Sequence, residues 1–113
     1  MATLFTRIIK GEIPGTIAGR TDEMAAIEDV NPQAPTHLLI IPVREIPSVN
    51  DLADGDAALI GRMVLFAKKL AAERGLAEGG YRLVLNCGRD AGQSVDHLHM
   101  HLLGGRSMRW PPG

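Results

Sequence analysis

One cysteine, Cys87, is all that 113 residues contain, so no internal disulfide can form, and the paired spacing of a zinc knuckle or a redox motif is missing. A reducing compartment suits such a chain. Excess charge is missing as well: 12 basic against 13 acidic residues leave a formal net charge of −1, which provides no global field for a nucleic acid or an anionic membrane. Any phosphate must be recognised locally. No apolar run reaches membrane-spanning length, and Met1 to Arg7 has no charged-then-apolar signal architecture. The expectation is a soluble, cytoplasmic protein with neither nucleic acid nor membrane as partner. With 45% hydrophobic residues, no internal repeat and no low-complexity segment, residues 1–113 are expected to form one domain.

What the sequence does have is a run in which three of its four histidines alternate with apolar residues, His97-Leu98-His99-Met100-His101-Leu102-Leu103. Successive side chains of a strand point to opposite faces, so His97, His99 and His101 are expected on one face and Leu98, Met100 and Leu102 on the other. A helix would scatter the rings at steps of about 200° with no single apolar stripe, so the period predicts a strand over 97–103.

The remaining pattern is coarse but readable. Thr3 can cap a short helix carrying Leu4, Phe5, Ile8 and Ile9 that ends near Lys10-Gly11, with Ile13-Pro14-Gly15 as the break after it. Thr16 to Arg20 and Met24 to Glu28 read as a hairpin, and Asp29 to Pro35, with two prolines, as an ordered loop. His37 to Pro42 is a continuous apolar run expected as a central strand covered on both faces. From Asp56 to Arg74 apolar residues recur at three- and four-residue steps, predicting a long amphipathic helix with Asp54 or Asp56 as its cap and Gly75 at its end. Tyr81 to Asn86 is a further strand, and Cys87 to Ser94 a loop opening onto the histidines.

Two chemistries fit the histidine run. A metal site would use two alternate histidines, about 7 Å apart at Cα by strand rise, with ligands from elsewhere. Alternatively the middle imidazole is a nucleophile and its neighbours orient it or move protons. The adjoining Asp90-Ala91-Gly92-Gln93-Ser94 loop, with backbone N–H groups and a hydroxyl, suits an oxyanion and favours the second. Asp29 can accept from a ribose diol or form an Asx turn. His37 alone reads as a packing residue, and Cys87, with no cationic neighbour in sequence, as an inert thiol. Trp110, in an eight-residue tail, needs a surface to bury its ring, and a partner subunit is a candidate.

The run from His97 to Leu103 matches the histidine triad signature at every position. Further matching stretches are Phe5 to Pro14, Asn31 to His37, Gly92 to Val95, and Leu103-Gly104-Gly105-Arg106 through Trp110-Pro111-Pro112-Gly113. Together they resemble the nucleotide-binding (Hint) branch of the histidine triad (HIT) superfamily rather than the Fhit-like dinucleoside polyphosphate hydrolases. The resemblance implies an α+β fold of about five antiparallel strands with one long and one short helix. It also implies a homodimer whose sheets join, with the tail over 104–113 near the interface and the partner's site.

The activity implied is hydrolysis of purine nucleoside phosphoramidates, with AMP- or GMP-type nucleotides as ligands and no cofactor or metal. On the matching positions His99 is the nucleophile, His101 contacts the phosphate and assists proton transfer, His97 orients His99 through its main-chain carbonyl, and His37 supports the cluster. Ser94 and the backbone around Gly92 and Gln93 hold the phosphate and leaving-group side, and Asn86 lines the same pocket. Asp29 binds the ribose hydroxyls, Phe5, Ile8, Ile27 and Val30 surround the base, and Trp110 comes from the tail. Ile27 and Asp96 stand where aromatic residues are common in the branch, and Cys87 where acidic ones occur.

Overall fold

The computed structural model describes residues 1–113. Five strands make one antiparallel sheet: β1 (Ile17–Arg20), β2 (Met24–Glu28), β3 (Thr36–Pro42), β4 (Tyr81–Leu85) and β5 (Met100–Gly104), in the order β1-β2-β3-β5-β4. A short helix α1 (Leu4–Ile9) precedes the sheet and a long one, α2 (Ala57–Glu73), lies between β3 and β4 in sequence. This is the expected α+β architecture.

The centre of the sheet is β3, all seven of whose residues are buried. Its alternation sorts them into two cores. Leu38 and Ile40 pack with Met63, Ala67, Leu70 and Ala71 of α2, whereas Leu39 and Ile41 pack with Phe5 of α1 and Ile27 of β2. A strand covered on both sides has no polar face, which is why its sequence reads as an unbroken apolar run.

At α2 the expected termini are nearly right, but the cap is not. Neither aspartate caps its first turn; Asp56 turns its carboxylate backward, accepting from the Ala53 N–H at 2.9 Å and from the Arg44 guanidinium. The partner 12 residues upstream outcompetes the local helix N–H groups. Gly75 does close the helix, at φ +72°.

The histidine run departs from its expected extent. The β5 ladder begins at Met100, where Ile40 and Leu85 are its partners, and Val95 to His99 lie outside it. Pro42, two residues beyond Ile40, has no N–H to give, and its carbonyl is taken by the His97 ring at 2.7 Å. The alternation nevertheless persists: Leu98, Met100 and Leu102 belong to the α2-side core.

The chain leaves β5 through Gly105 at φ +93°, where an added Cβ would stand 2.9 Å from Pro35 Cβ. Both the left-handed conformation and the proline ring resist a side chain there. Gly105→Ala is expected to cost about 1–3 kcal/mol, read as a lowered urea midpoint at unchanged m-value.

Candidate active site

Between α1, the end of β2 and the stretch after the 87–94 loop lies a cavity of about 390 Å³. One wall is apolar, made by Phe5, Ile8, Ile13, Ile27 and Leu39; Asp29 and Val30 lie at one margin and Ser94, His99 and His101 at the other. Of the residues singled out in the sequence, the fold thus brings Phe5, Ile8, Ile27, Asp29, Val30, Ser94, His99 and His101 to one place. Leu39 and Ile13 join them unannounced, hidden among residues whose type fits any core. Asn86, Gly92, Gln93 and Trp110 do not line the cavity, and Trp110 is 83% exposed.

Hydrogen-bond partners that can only donate or only accept fix the tautomer of each ring. His99 Nδ1 meets the His97 carbonyl at 2.8 Å, so Nδ1 carries the hydrogen and Nε2 is left with its lone pair. The Gln33 N–H donates to His37 Nδ1 at 3.0 Å, so His37 carries its hydrogen on Nε2 and gives it to His101 Nδ1 at 2.8 Å. His101 therefore holds its own hydrogen on Nε2. The site combines one bare imidazole nitrogen with one imidazole N–H.

His97 lies on the same side of the segment, against Phe5, but does not line the cavity. It is fully buried, with Nε2 donating to the Pro42 carbonyl and Nδ1 accepting from the Thr3 hydroxyl at 2.6 Å. The expectation of three imidazoles presented together is corrected to two, His99 and His101, with His97 facing them through its carbonyl alone. Outside the ladder, its ring is free to turn into the protein and pair with Thr3 and Pro42.

The loop before the histidines is also more committed than its composition suggests. The N–H groups of Gly92 and Gln93 bond to the carbonyls of Arg89 and Gly88, and the Gln93 amide braces the loop through Pro47, Val95 and Gly88. Those N–H groups are spent on the turn. The Ser94 hydroxyl and the N–H groups of Ser94 and Val95 have no protein partner and remain for an oxyanion. Asp29 forms the Asx turn its sequence allowed, Oδ1 accepting from the Asn31 N–H at 2.8 Å, while Oδ2 lies 3.5 Å from His37 Nε2 at the cavity margin.

Burial keeps the cluster neutral. It lowers the pKa of His99, aided by His97 and opposed by the carbonyl hydrogen bond and Asp29. It lowers that of His101 to about 4, with His99 and His37 adding to the effect and Asp29 opposing it. His37 is lowered by burial against the pull of Asp29. As pH falls from about 6.5 toward 4, the unfolded chain takes up protons that these folded rings refuse. The stability they allow is full above that window and is lost through it. Urea midpoints are expected to fall steadily between pH 7 and 5, above the range where carboxylates titrate, and a His101→Gln variant should show a shallower fall.

The metal alternative loses His97, both of whose ring nitrogens already have partners, and the Nδ1 of His99, which meets the His97 carbonyl. The side chains close enough to hold an ion are Asp29, His37 and His101, whose ligand atoms lie within 4.8 Å of one another. An ion there would have to displace the hydrogen between the two rings.

The five-stranded sheet with its one long helix has counterparts among known proteins. The model of the HIT domain matches residues 10–108, so the chain belongs to the HIT domain family. Over 106 residues it is 50% identical to the purine nucleoside phosphoramidase of Escherichia coli strain K12, covering 94% of this chain and 89% of that one. The crystal structure of a HIT family hydrolase from Legionella pneumophila Philadelphia 1 superposes with a TM-score of 0.96 at 51% identity, covering 99% of this chain and 100% of that one. The histidine triad nucleotide-binding protein from Candida albicans gives a TM-score of 0.82 at 32% identity, covering 97% and 83%. Within its family this chain is a hydrolase.

Proposed function

We propose that the protein hydrolyses purine nucleoside phosphoramidates through a nucleotidyl-histidine intermediate on His99. The observation that carries this is the fixed tautomer of His99: the His97 carbonyl holds its Nδ1–H, so Nε2 enters the cavity as a lone pair between Ser94 and the His101 N–H. The Escherichia coli relative supports the substrate class by its name.

In the first half-reaction the His99 Nε2 lone pair forms a bond to phosphorus and the P–N bond breaks, its electron pair leaving with the amine. The amine also takes a proton. His101 supplies it, the bound phosphoramidate anion favouring the charged ring that burial disfavours in the free protein. Water then attacks phosphorus, His101 recovers a proton from it, and the His99–phosphorus bond breaks to release the nucleotide. Ser94 and the free N–H groups beside it hold the equatorial oxygens. Asp29 accepts from the ribose hydroxyls, and the apolar wall of Phe5, Ile8, Ile27 and Leu39 takes the purine.

The edge strand β4 and the exposed Val64 and Leu65 of α2 support a homodimer joined along that edge, with the 104–113 tail reaching the partner's site and Trp110 buried there. No helix is long and apolar enough to cross a membrane, and the lone thiol of Cys87 suits the cytoplasm as compartment. The test is adenosine 5′-phosphoramidate mixed in single turnover with the protein after chelation, quenched in base and mass-measured. A nucleotide adduct on the peptide containing His99 is expected; tight AMP binding with neither adduct nor turnover would leave a nucleotide-binding module instead.

A further inference from the structure

The triad is anchored to the beginning of the chain. Thr3, the residue that caps α1, has one hydroxyl proton and three polar neighbours: His97 Nδ1 at 2.6 Å, Thr6 Oγ1 at 3.3 Å and the Thr6 N–H at 3.1 Å. The Thr6 N–H can only donate, so it occupies a lone pair of the Thr3 oxygen. The Thr6 hydroxyl spends its own proton on Glu45 Oε1 at 2.6 Å, and the same carboxylate oxygen accepts the Thr3 N–H at 2.9 Å. With those directions fixed, the Thr3 proton goes to His97 Nδ1, the shortest of its contacts. The Pro42 carbonyl, an acceptor only, takes the hydrogen on the opposite ring nitrogen.

His97 matters through its carbonyl, and nothing in the sheet holds that carbonyl in place. Residues 97–99 lie outside the β5 ladder, so the backbone there is fixed by the ring of His97, clamped at both nitrogens, and by the Leu98 N–H to the Ile46 carbonyl at 2.6 Å. Phe5, two residues after Thr3, packs edge-on against His97 and His99 with centroids 5.8 and 5.0 Å apart. The same helix therefore supplies the wall of the cavity and the clamp behind the nucleophile.

We infer that Thr3, oriented by Thr6 and Glu45, is a positioning residue for the reaction: its hydroxyl holds His97 in one tautomer and one pose, and so sets the His97 carbonyl that aims His99. This rests on the proposed role of His99, but the clamp itself can be observed without substrate. Thr3 does not line the cavity, so its loss acts on the chemical step rather than on nucleotide affinity.

Three substitutions separate the clamp from the helix cap. Thr3→Ser keeps both the acceptor for Thr6 and the donor for His97. Thr3→Asp keeps the cap acceptor but offers His97 no proton. Thr3→Val removes both. Each is assayed for phosphoramidate turnover and AMP affinity below its own melting temperature, and the His97 ring nitrogens are followed by long-range 15N–1H NMR in the free protein. The wild-type ring is expected as the Nε2–H tautomer. Serine should stay within about threefold of wild type, while aspartate and valine lose about 10²-fold in kcat, the scale of a small misplacement of a reacting group, with AMP affinity little changed. In both of those variants the Nδ1 resonance should move. Wild-type turnover in Thr3→Asp, with an unchanged His97 spectrum, would reduce Thr3 to a helix cap and overturn the inference. So would a serine variant as impaired as valine. Absence of turnover in the wild type would refute the proposed function, and the ring spectra would still decide the clamp.

Discussion

His99→Ala is expected to lower phosphoramidate turnover by at least about 10⁴-fold, the scale of losing a nucleophile that works as part of a unit, while AMP still binds. The asymmetry follows from the site. His99 contributes a small part of a cavity whose apolar wall, Asp29 and Ser94 all stay in place, so on the proposed function binding survives what chemistry does not. The adduct mass should vanish with the turnover. Residual turnover within about tenfold of wild type would remove His99 from the nucleophile's role, and a parallel loss of AMP binding would show that the ring holds the nucleotide instead. Titration by calorimetry and a single-turnover quench give the two readings on one preparation.

His101→Ala should cost about 10²–10⁴-fold, the usual contribution of general acid–base catalysis, and the loss should depend on what leaves. A basic alkylamine cannot depart without a proton, so its release needs the ring; a fluoride or imidazole leaving group departs readily without one. Adenosine phosphoramidates graded by amine basicity should therefore give a steeper dependence of kcat/KM in His101→Ala than in the wild type. Equal losses across the series would mean that His101 stabilises charge on the phosphate and moves no proton. Because its pKa in the free protein lies at about 4, the wild-type activity should not follow the titration of a free imidazole near 6.5.

How far these roles could be read from residues alone depended on whether a role is local. The two-sided burial of β3 was legible because a strand packed on both faces must be apolar throughout, and the long helix because its stripe repeats along its whole length. The histidine run announced the site but not its shape. Period two tells which side chains share a face; it does not tell where a ladder stops, and this one stops where Pro42 ends its neighbour. His97 was consequently expected to be presented beside the other two; it shares their side against Phe5 but is fully buried. The N–H groups of Gly92 and Gln93 looked available because their carbonyl partners sit three and five residues back in the same turn or close to it, a pairing that composition does not encode. Thr3, His97 and Glu45 are brought together over separations of 94 and 42 residues, and nothing in their local sequence marks more than a helix cap.

The interleaving of Leu98, Met100 and Leu102 with the histidines has one more consequence. Every second side chain of the histidine segment is a brick in the wall against α2, so His99 cannot be moved without rebuilding that wall. Variation in what the protein accepts must then come from the other parts of the pocket's rim, α1 and the loop around Asp29 and Val30, where side chains can change without disturbing the central masonry. One half of the pocket is mortared in place; the other half is where new substrates would be learned.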